Sequence, residues 1–154
     1  MDVGAAYDAV ADKYSAAFES ELDGKALDRA LLIAFAELVG VGVICDVGCG
    51  PGHVTRFLAE RHCDVVGLDV SSAMVAIARQ QAPKLSFQVG TMLSLPVADA
   101  SWAGVVSLYS IIHLIPAQRV TACREFARVV RPKGWLILAF HVDRPRSRRA
   151  RLTI

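Results

Sequence analysis

Val43-Ile-Cys-Asp-Val-Gly-Cys-Gly-Pro-Gly52 is a short apolar run that ends in three glycines within five positions. Val43 to Val47 reads as a buried strand. Gly48, Gly50 and Gly52 read as a tight turn, because glycine reaches backbone conformations and close approaches closed to residues with a Cβ. From His53 to His62 the period changes, with Val54, Phe57 and Leu58 on one helical face. Strand, glycine turn and helix form the opening unit of an open parallel sheet, which receives ligands at the carboxyl ends of its strands.

The alternation continues on both sides. Asp64-Val-Val-Gly-Leu-Asp69, Leu85 to Val89, Gly104-Val-Val-Ser-Leu-Tyr109 and Trp135-Leu-Ile-Leu-Ala-Phe140 read as strands, the last entered through Pro132-Lys133-Gly134. Ser71 or Ser72 caps a helix carrying Met74, Val75, Ile77 and Ala78, which Pro83 ends. Pro116 suits the first turn of a helix carrying Val120, Cys123, Ala127 and Val130. Ahead of the first strand, Tyr7, Val10, Ala11, Tyr14 and Phe18 make one amphipathic helix; Leu27, Leu31, Phe35 and Leu38 make a second, ended by Gly40 and Gly42. Near-continuous apolar strands separated by helices predict an α/β, Rossmann-like three-layer sandwich with a parallel sheet of about five strands.

At 154 residues the chain has the length of one domain, and no internal repeat divides it. A hydrophobic content of 54% against 21% charged residues predicts a soluble globular protein and argues against disorder. Met1-Asp2-Val3-Gly4 lacks the basic flank and apolar run of a signal peptide, and no apolar run reaches the roughly 18 residues of a membrane span. Cys45, Cys49, Cys63 and Cys123 form no Cys-x-x-Cys pair, so a reduced, cytoplasmic, metal-free protein is expected. The net charge of +2 is uneven: residues 143–154 hold five arginines and one aspartate, and without them 12 basic and 14 acidic residues remain. A mildly acidic body argues against a nucleic-acid groove across it.

The ligand is read from the turn and its acidic neighbours. The helix after the turn offers N–H groups and a positive dipole end for a carboxylate, and Asp46 offers the opposite charge, a pairing that suits an amino-acid zwitterion. Asp69, 17 residues after Gly52 at the end of the second strand, can accept hydrogen bonds from both hydroxyls of a ribose. The competing dinucleotide fingerprint, Gly-x-Gly-x-x-Gly, requires glycine where His53 stands, and no Gly-Lys-Ser/Thr is present to hold phosphates. A purely structural turn is the remaining alternative.

From about Tyr7 to Val142 the chain resembles the class I S-adenosylmethionine-dependent methyltransferases, in the type 11/25-like subgroup that modifies small molecules. The most specific stretches are Val43 to Gly52, Val65 to Asp69, Leu95-Pro96 through His113, and Phe126-Ala-Arg-Val-Val-Arg-Pro-Lys-Gly134. The resemblance implies S-adenosylmethionine (SAM) as cofactor, S-adenosylhomocysteine (SAH) as product, and a small-molecule methyl acceptor. It implies that Gly48, Gly50 and Gly52 face the methionine part, Asp46 its amino group and Asp69 the ribose, with Val70 beside the adenine. Thr91 and Met92, after Gly90, would read the adenine edge; Cys49, Met74 and Leu108 complete the expected cofactor contacts. The family often has an aspartate where Thr91 stands, and threonine offers a hydrogen bond without charge. Tyr7 and Tyr14 are either core packing or a lid touching the cofactor. His113, after the fourth strand, is the catalytic candidate as general base or acceptor-binding donor, with a backbone-bonded structural histidine as the alternative.

Three segments are thus expected: 1–42 as helices lidding the cofactor, 43–142 as the cofactor-binding core, and 143–154 as a basic tail. Members of the family carry two further strands after the fifth, and this sequence has none, which suggests truncation or a frameshift. A fifth strand left exposed along Trp135 to Phe140 would then invite a homodimer. The alternative to an enzyme is a non-catalytic cofactor-binding or interaction module.

Overall fold

The computed structural model describes residues 3–18 and 20–141. Five strands, β1 (Ile44–Val47), β2 (Val65–Asp69), β3 (Ser86–Val89), β4 (Trp102–Leu108) and β5 (Val130–Ala139), form one sheet in the order β3-β2-β1-β4-β5. Every neighbouring pair is parallel, with Asp46 opposite Gly67 on one side and Val106 on the other. The helices are α1 (Val3–Asp8), α2 (Ala11–Phe18), α3 (Ala26–Val39), α4 (His53–Ala59), α5 (Ser72–Gln81) and α6 (Pro116–Val129). A parallel pair needs a long crossover, and α4, α5 and α6 lie in three of these connections.

Residues along each strand alternate between the two faces. Ile44, Val65 and Val106 pack with Leu32, Phe35 and Val39 of α3 and with Val54 and Leu58 of α4. Cys45, Val47, Leu68 and Val105 turn to the opposite face and meet Ala122, Phe126 and Val129 of α6. Val75 and Ala78 seat α5 against Phe87 and Cys49. Phe35 and Phe126 are buried, and each such side chain contributes about 1.5–3 kcal/mol of hydrophobic transfer.

Local signals fix the helix ends. Ser71 caps α5, its hydroxyl accepting from the Met74 amide at 3.1 Å, and Pro116 opens α6. Two helix faces differ from the expected ones. In α3 only Phe35 of the expected stripe is buried: Leu27, Leu31 and Leu38 are exposed, and Leu32 and Val39 take their place. The helix ALDRALLIAFAELV is apolar nearly all round, so its period does not select a face. In α6, Val120, Cys123 and Ala127 face outward, while Ala122, Phe126 and Val129 pack inward. The volume of Phe126 decides that orientation. The expected first helix is two, α1 and α2, separated by a turn at Ala9 and Val10. Of the segment before β1, α3 belongs to the core, whereas α1 and α2 lie against α5. The last strand starts earlier than expected, at Val130: Trp102 pairs with Val130 and Gly104 with Trp135, so residues 131–134 bulge around Lys133, whose φ is 63°.

Among the described residues β5 is hydrogen-bonded only to β4, and Trp135, Leu136 and Phe140 are exposed. No described helix is long and apolar enough to cross a membrane. The basic tail, 143–154, lies outside the described residues.

Candidate active site

The chain leaves β1 toward β2 on one side and leaves β4 toward β5 on the other, so the strand order reverses between β1 and β4. The two connections diverge and open a crevice at the carboxyl ends of the strands. A cavity of about 660 Å³ occupies this crevice, within the rough 300–1,000 Å³ range of small-molecule sites. Of the residues expected to bind cofactor, Tyr7, Tyr14, Asp46, Gly48, Cys49, Gly50, Asp69, Val70, Met74, Thr91, Met92 and Leu108 line it, as does His113. Gly52 does not.

The glycines have different tasks. At Gly50 (φ 52°) a Cβ would meet only the Tyr14 ring, at 4.0 Å, so the backbone stands open to the cavity. At Gly52 (φ 84°) a Cβ would lie 2.8 Å from the Phe87 ring and 3.2 Å from Ala78. Gly52 therefore serves the packing of the turn on β3 and α5 and stands outside the cavity lining. The turn's amides are used within the fold: Gly48 and Cys49 N–H donate to the Leu68 carbonyl (2.7 and 3.1 Å), Gly50 N–H to Asp69 and Gly52 N–H to the Cys49 carbonyl. With α4 only seven residues long, the helix dipole expected to favour a carboxylate is short.

Two carboxylates stand under the cavity. Asp46 is buried, and its Oδ2 accepts from the Thr55 hydroxyl at 2.7 Å. Burial pushes its carboxyl up to about 7 against that hydrogen bond, and the Asp69 charge adds to the rise. Asp69 accepts one backbone N–H on each oxygen, from Gly50 on Oδ2 and Ser71 on Oδ1, both at 2.8 Å. Burial raises its carboxyl, and those N–H donors oppose the rise. Burial pushes the Cys49 thiol well up, so it fills space as a neutral group and is a poor nucleophile.

Tyr7 and Tyr14 meet edge to face with ring centroids 5.6 Å apart over this floor. The Tyr7 hydroxyl lies 2.6 Å from His113 Nε2, which ties α1 to the 3-10 turn Ile111–His113 after β4. His113 is thus engaged by a side chain at this nitrogen. Burial first, then Tyr7, Glu21 and Asp69, push the Tyr14 phenol up to about 12, so it stays neutral at ordinary pH. α1 is also anchored through Asp8, which accepts from the Ser71 hydroxyl (2.6 Å) and the Ala73 amide (3.0 Å) at the start of α5. Thr91 accepts from the Leu93 amide at 3.2 Å, which leaves its own proton to donate.

A second set of lining groups has no signature in the local sequence. Tyr109, at the end of β4 with φ 58°, donates its hydroxyl to Asp28 (3.0 and 3.2 Å to the two oxygens). Lys25 Nζ lies 4.1 Å from the Tyr109 ring centroid and contacts Glu21 and Asp28. Glu21 also meets His53 Nε2 at 3.2 Å, while His53 Nδ1 is buried and has no hydrogen-bond partner among the described residues. Burial lowers the His53 pKa, so the ring at the position of the missing third glycine is neutral. Tyr109 and Asp28 are 81 positions apart, and only the folded chain brings them together.

Residues 44–134 match the family model described as a methyltransferase domain. An O-methyltransferase of Penicillium expansum is 32% identical over 127 residues, covering 78% of this chain and 45% of that protein. A demethylmenaquinone methyltransferase of Beutenbergia cavernae is 31% identical over 141 residues, covering 90% and 57%. The chain spans about half the length of the curated relatives it matches. Among solved structures, the PH0226 protein from Pyrococcus horikoshii OT3 aligns with a TM-score of 0.66 at 26% identity, over 80% of this chain and 57% of that one. A SAM-dependent methyltransferase from Methanosarcina mazei aligns with a TM-score of 0.58 at 27% identity, over 59% and 48%.

Proposed function

The chain belongs to the methyltransferase-domain family, and on that premise we propose that it binds SAM and methylates a small-molecule acceptor. Asp69 carries the reading. Its buried carboxylate lies at the end of β2 beside the open Gly50 backbone, each oxygen oriented by one N–H and retaining acceptor capacity for a ribose hydroxyl. A nucleoside with a charged amino-acid arm suits this floor, because Asp46 next to it gains a cationic partner on binding.

In this reading Val70, Thr91 and Met92 take the adenine side, Gly48, Cys49, Gly50, Met74 and Leu108 surround the arm, and Asp46 faces its amino group. α1 and α2 form the lid through Tyr7 and Tyr14, over the core that begins at residue 43. Bound SAM supplies a methyl group on a sulfonium, a reactive donor that makes acceptor position the main requirement. The chain's own residues then hold the acceptor in line and exclude water under the lid. The relatives named as O-methyltransferases support an oxygen acceptor. SAH is the expected product.

Calorimetry with SAM, SAH and NAD, beside a methyl-release assay over mixed acceptors, tests the proposal. Saturable binding of SAM and SAH with turnover is the expected result. Binding without turnover leaves a cofactor-binding module, and absence of SAM and SAH binding refutes the reading.

A further inference from the structure

The cavity extends beyond the residues assigned to cofactor, along the β4 end of the crevice, where it is lined by Glu21, Lys25, Asp28, Tyr109 and Ser110. With the ribose at β2 and the methionine arm over the β1 turn, this end lies past the arm, on the side of β5. It is walled by polar side chains from three separate elements: the 3-10 turn Glu21–Gly24, α3 and the end of β4. Leu22, Leu114 and Ile115 add apolar lining to the same cavity.

Resting on the SAM-dependent reading, we propose that this end is the acceptor subsite, in which Asp28, held by the Tyr109 hydroxyl beside Lys25, takes the hydroxyl of an uncharged acceptor and turns anionic acceptors away.

Geometry and charge both support this. The Tyr109 hydroxyl donates its proton to Asp28, so its oxygen lone pairs remain as acceptors. An acceptor hydroxyl in the cavity can donate to that oxygen or to Asp28 itself. Donation to the Asp28 carboxylate makes its oxygen more electron-rich than in water, and transfer of a methyl to that oxygen would break the methyl–sulfur bond of SAM, leave SAH and pass the hydroxyl proton to Asp28. Lys25 is already shared among Glu21, Asp28 and the Tyr109 ring. Among the described lining residues, Lys25 is the one lysine or arginine against four carboxyl side chains, Glu21, Asp28, Asp46 and Asp69. SAM brings one net positive charge, so an anionic acceptor would enter an excess of negative charge, where like-charge contact is unfavourable. His113, the sequence candidate for acceptor contact, has its Nε2 against Tyr7.

The test uses two ring-matched probes, 4-methylphenol and 4-methylbenzoate, titrated by calorimetry or protein NMR into the full chain with and without SAH. The phenol is expected to bind at least about tenfold more tightly than the benzoate. D28N should weaken the phenol and strengthen the benzoate, because it removes a repelling charge, and Y109F should weaken the phenol alone. A purely structural defect would weaken both probes together, and Y109F keeps the ring packing should D28N fold poorly. SAH affinity should stay within about threefold in both variants. Equal or tighter benzoate binding, no phenol binding up to solubility, or parallel loss of both probes in both variants would overturn the acceptor assignment. Failure of SAH itself to bind would instead overturn the cofactor reading, and the titrations without SAH would still decide the subsite.

Discussion

Replacing Asp46 by asparagine should stabilise the free protein and weaken its hold on SAM. The substitution keeps shape, and asparagine can still accept the Thr55 hydroxyl that now bonds Oδ2 at 2.7 Å. Folding raises the Asp46 carboxyl from its ordinary value of 3.8 to about 7. The unfolded chain therefore ionises first, so the stabilising contribution is full below the unfolded value and is lost as pH rises toward about 7. The slope is about 1.4 kcal/mol per pH unit and the whole loss on the order of 4 kcal/mol. D46N escapes this loss. Near pH 8 it should be more stable than the native chain by roughly 1–4 kcal/mol, with the gap narrowing toward acid. Binding has the opposite sign. An ammonium beside Asp46 favours its ionised form, so below about pH 7 binding expels a proton and native affinity rises up to tenfold per pH unit, then levels. D46N should bind about 10- to 100-fold more weakly near pH 8 and lose that slope. Thermal melts across pH, with calorimetry in two buffers of different ionisation enthalpy, read both effects. A D46N chain less stable than native near pH 8, or binding without proton release below pH 7, would refute the reasoning.

The two glycines should separate function from folding: G50A, whose Cβ enters the cavity, should cost about 1–2 kcal/mol of stability and abolish most SAH binding, whereas G52A, against Phe87 and Ala78, should cost more stability, about 2–4 kcal/mol, in thermal melts. Hydrogen bonds from Ser71 and Ala73 hold the Asp8 carboxyl below its usual range, so α1 docking is present above the unfolded pKa and lost as pH falls through the lower folded value. D8A should accordingly speed proteolysis within residues 3–18 and weaken SAH binding while the core melt barely moves. The β5 edge, with Trp135, Leu136 and Phe140 exposed, should drive concentration-dependent pairing in light scattering that L136K reduces; a monomer at all concentrations would count against it.

The parts of the fold legible in sequence were those written in local chemistry. The glycine turn follows from three glycines behind a strand, the α5 start from the Ser71 cap and the α6 start from Pro116. Asp69 was legible because position at a strand end is itself a local property. Helix faces were harder. α3 is apolar on several sides, so burial of Leu32 and Val39 in place of Leu31 and Leu38 is decided by what it packs against. The polar wall was invisible for the same reason. Asp28 and Tyr109 are ordinary residues of a helix and a strand end until the crossovers fold them together, and Asp8 reaches Ser71 across 63 positions. The turn also kept a surprise: Gly52 looks like its neighbours in sequence, but Phe87 claims its space.

The most direct measurement is a crystal structure of the full chain with SAH bound. A ribose hydrogen-bonded to Asp69, an arm lying over Gly50, and Tyr109 with Asp28 facing the sulfur side of the ligand are the predicted result. A nucleoside bound elsewhere, or one that leaves Asp69 with only its Gly50 and Ser71 partners, would contradict the site described above.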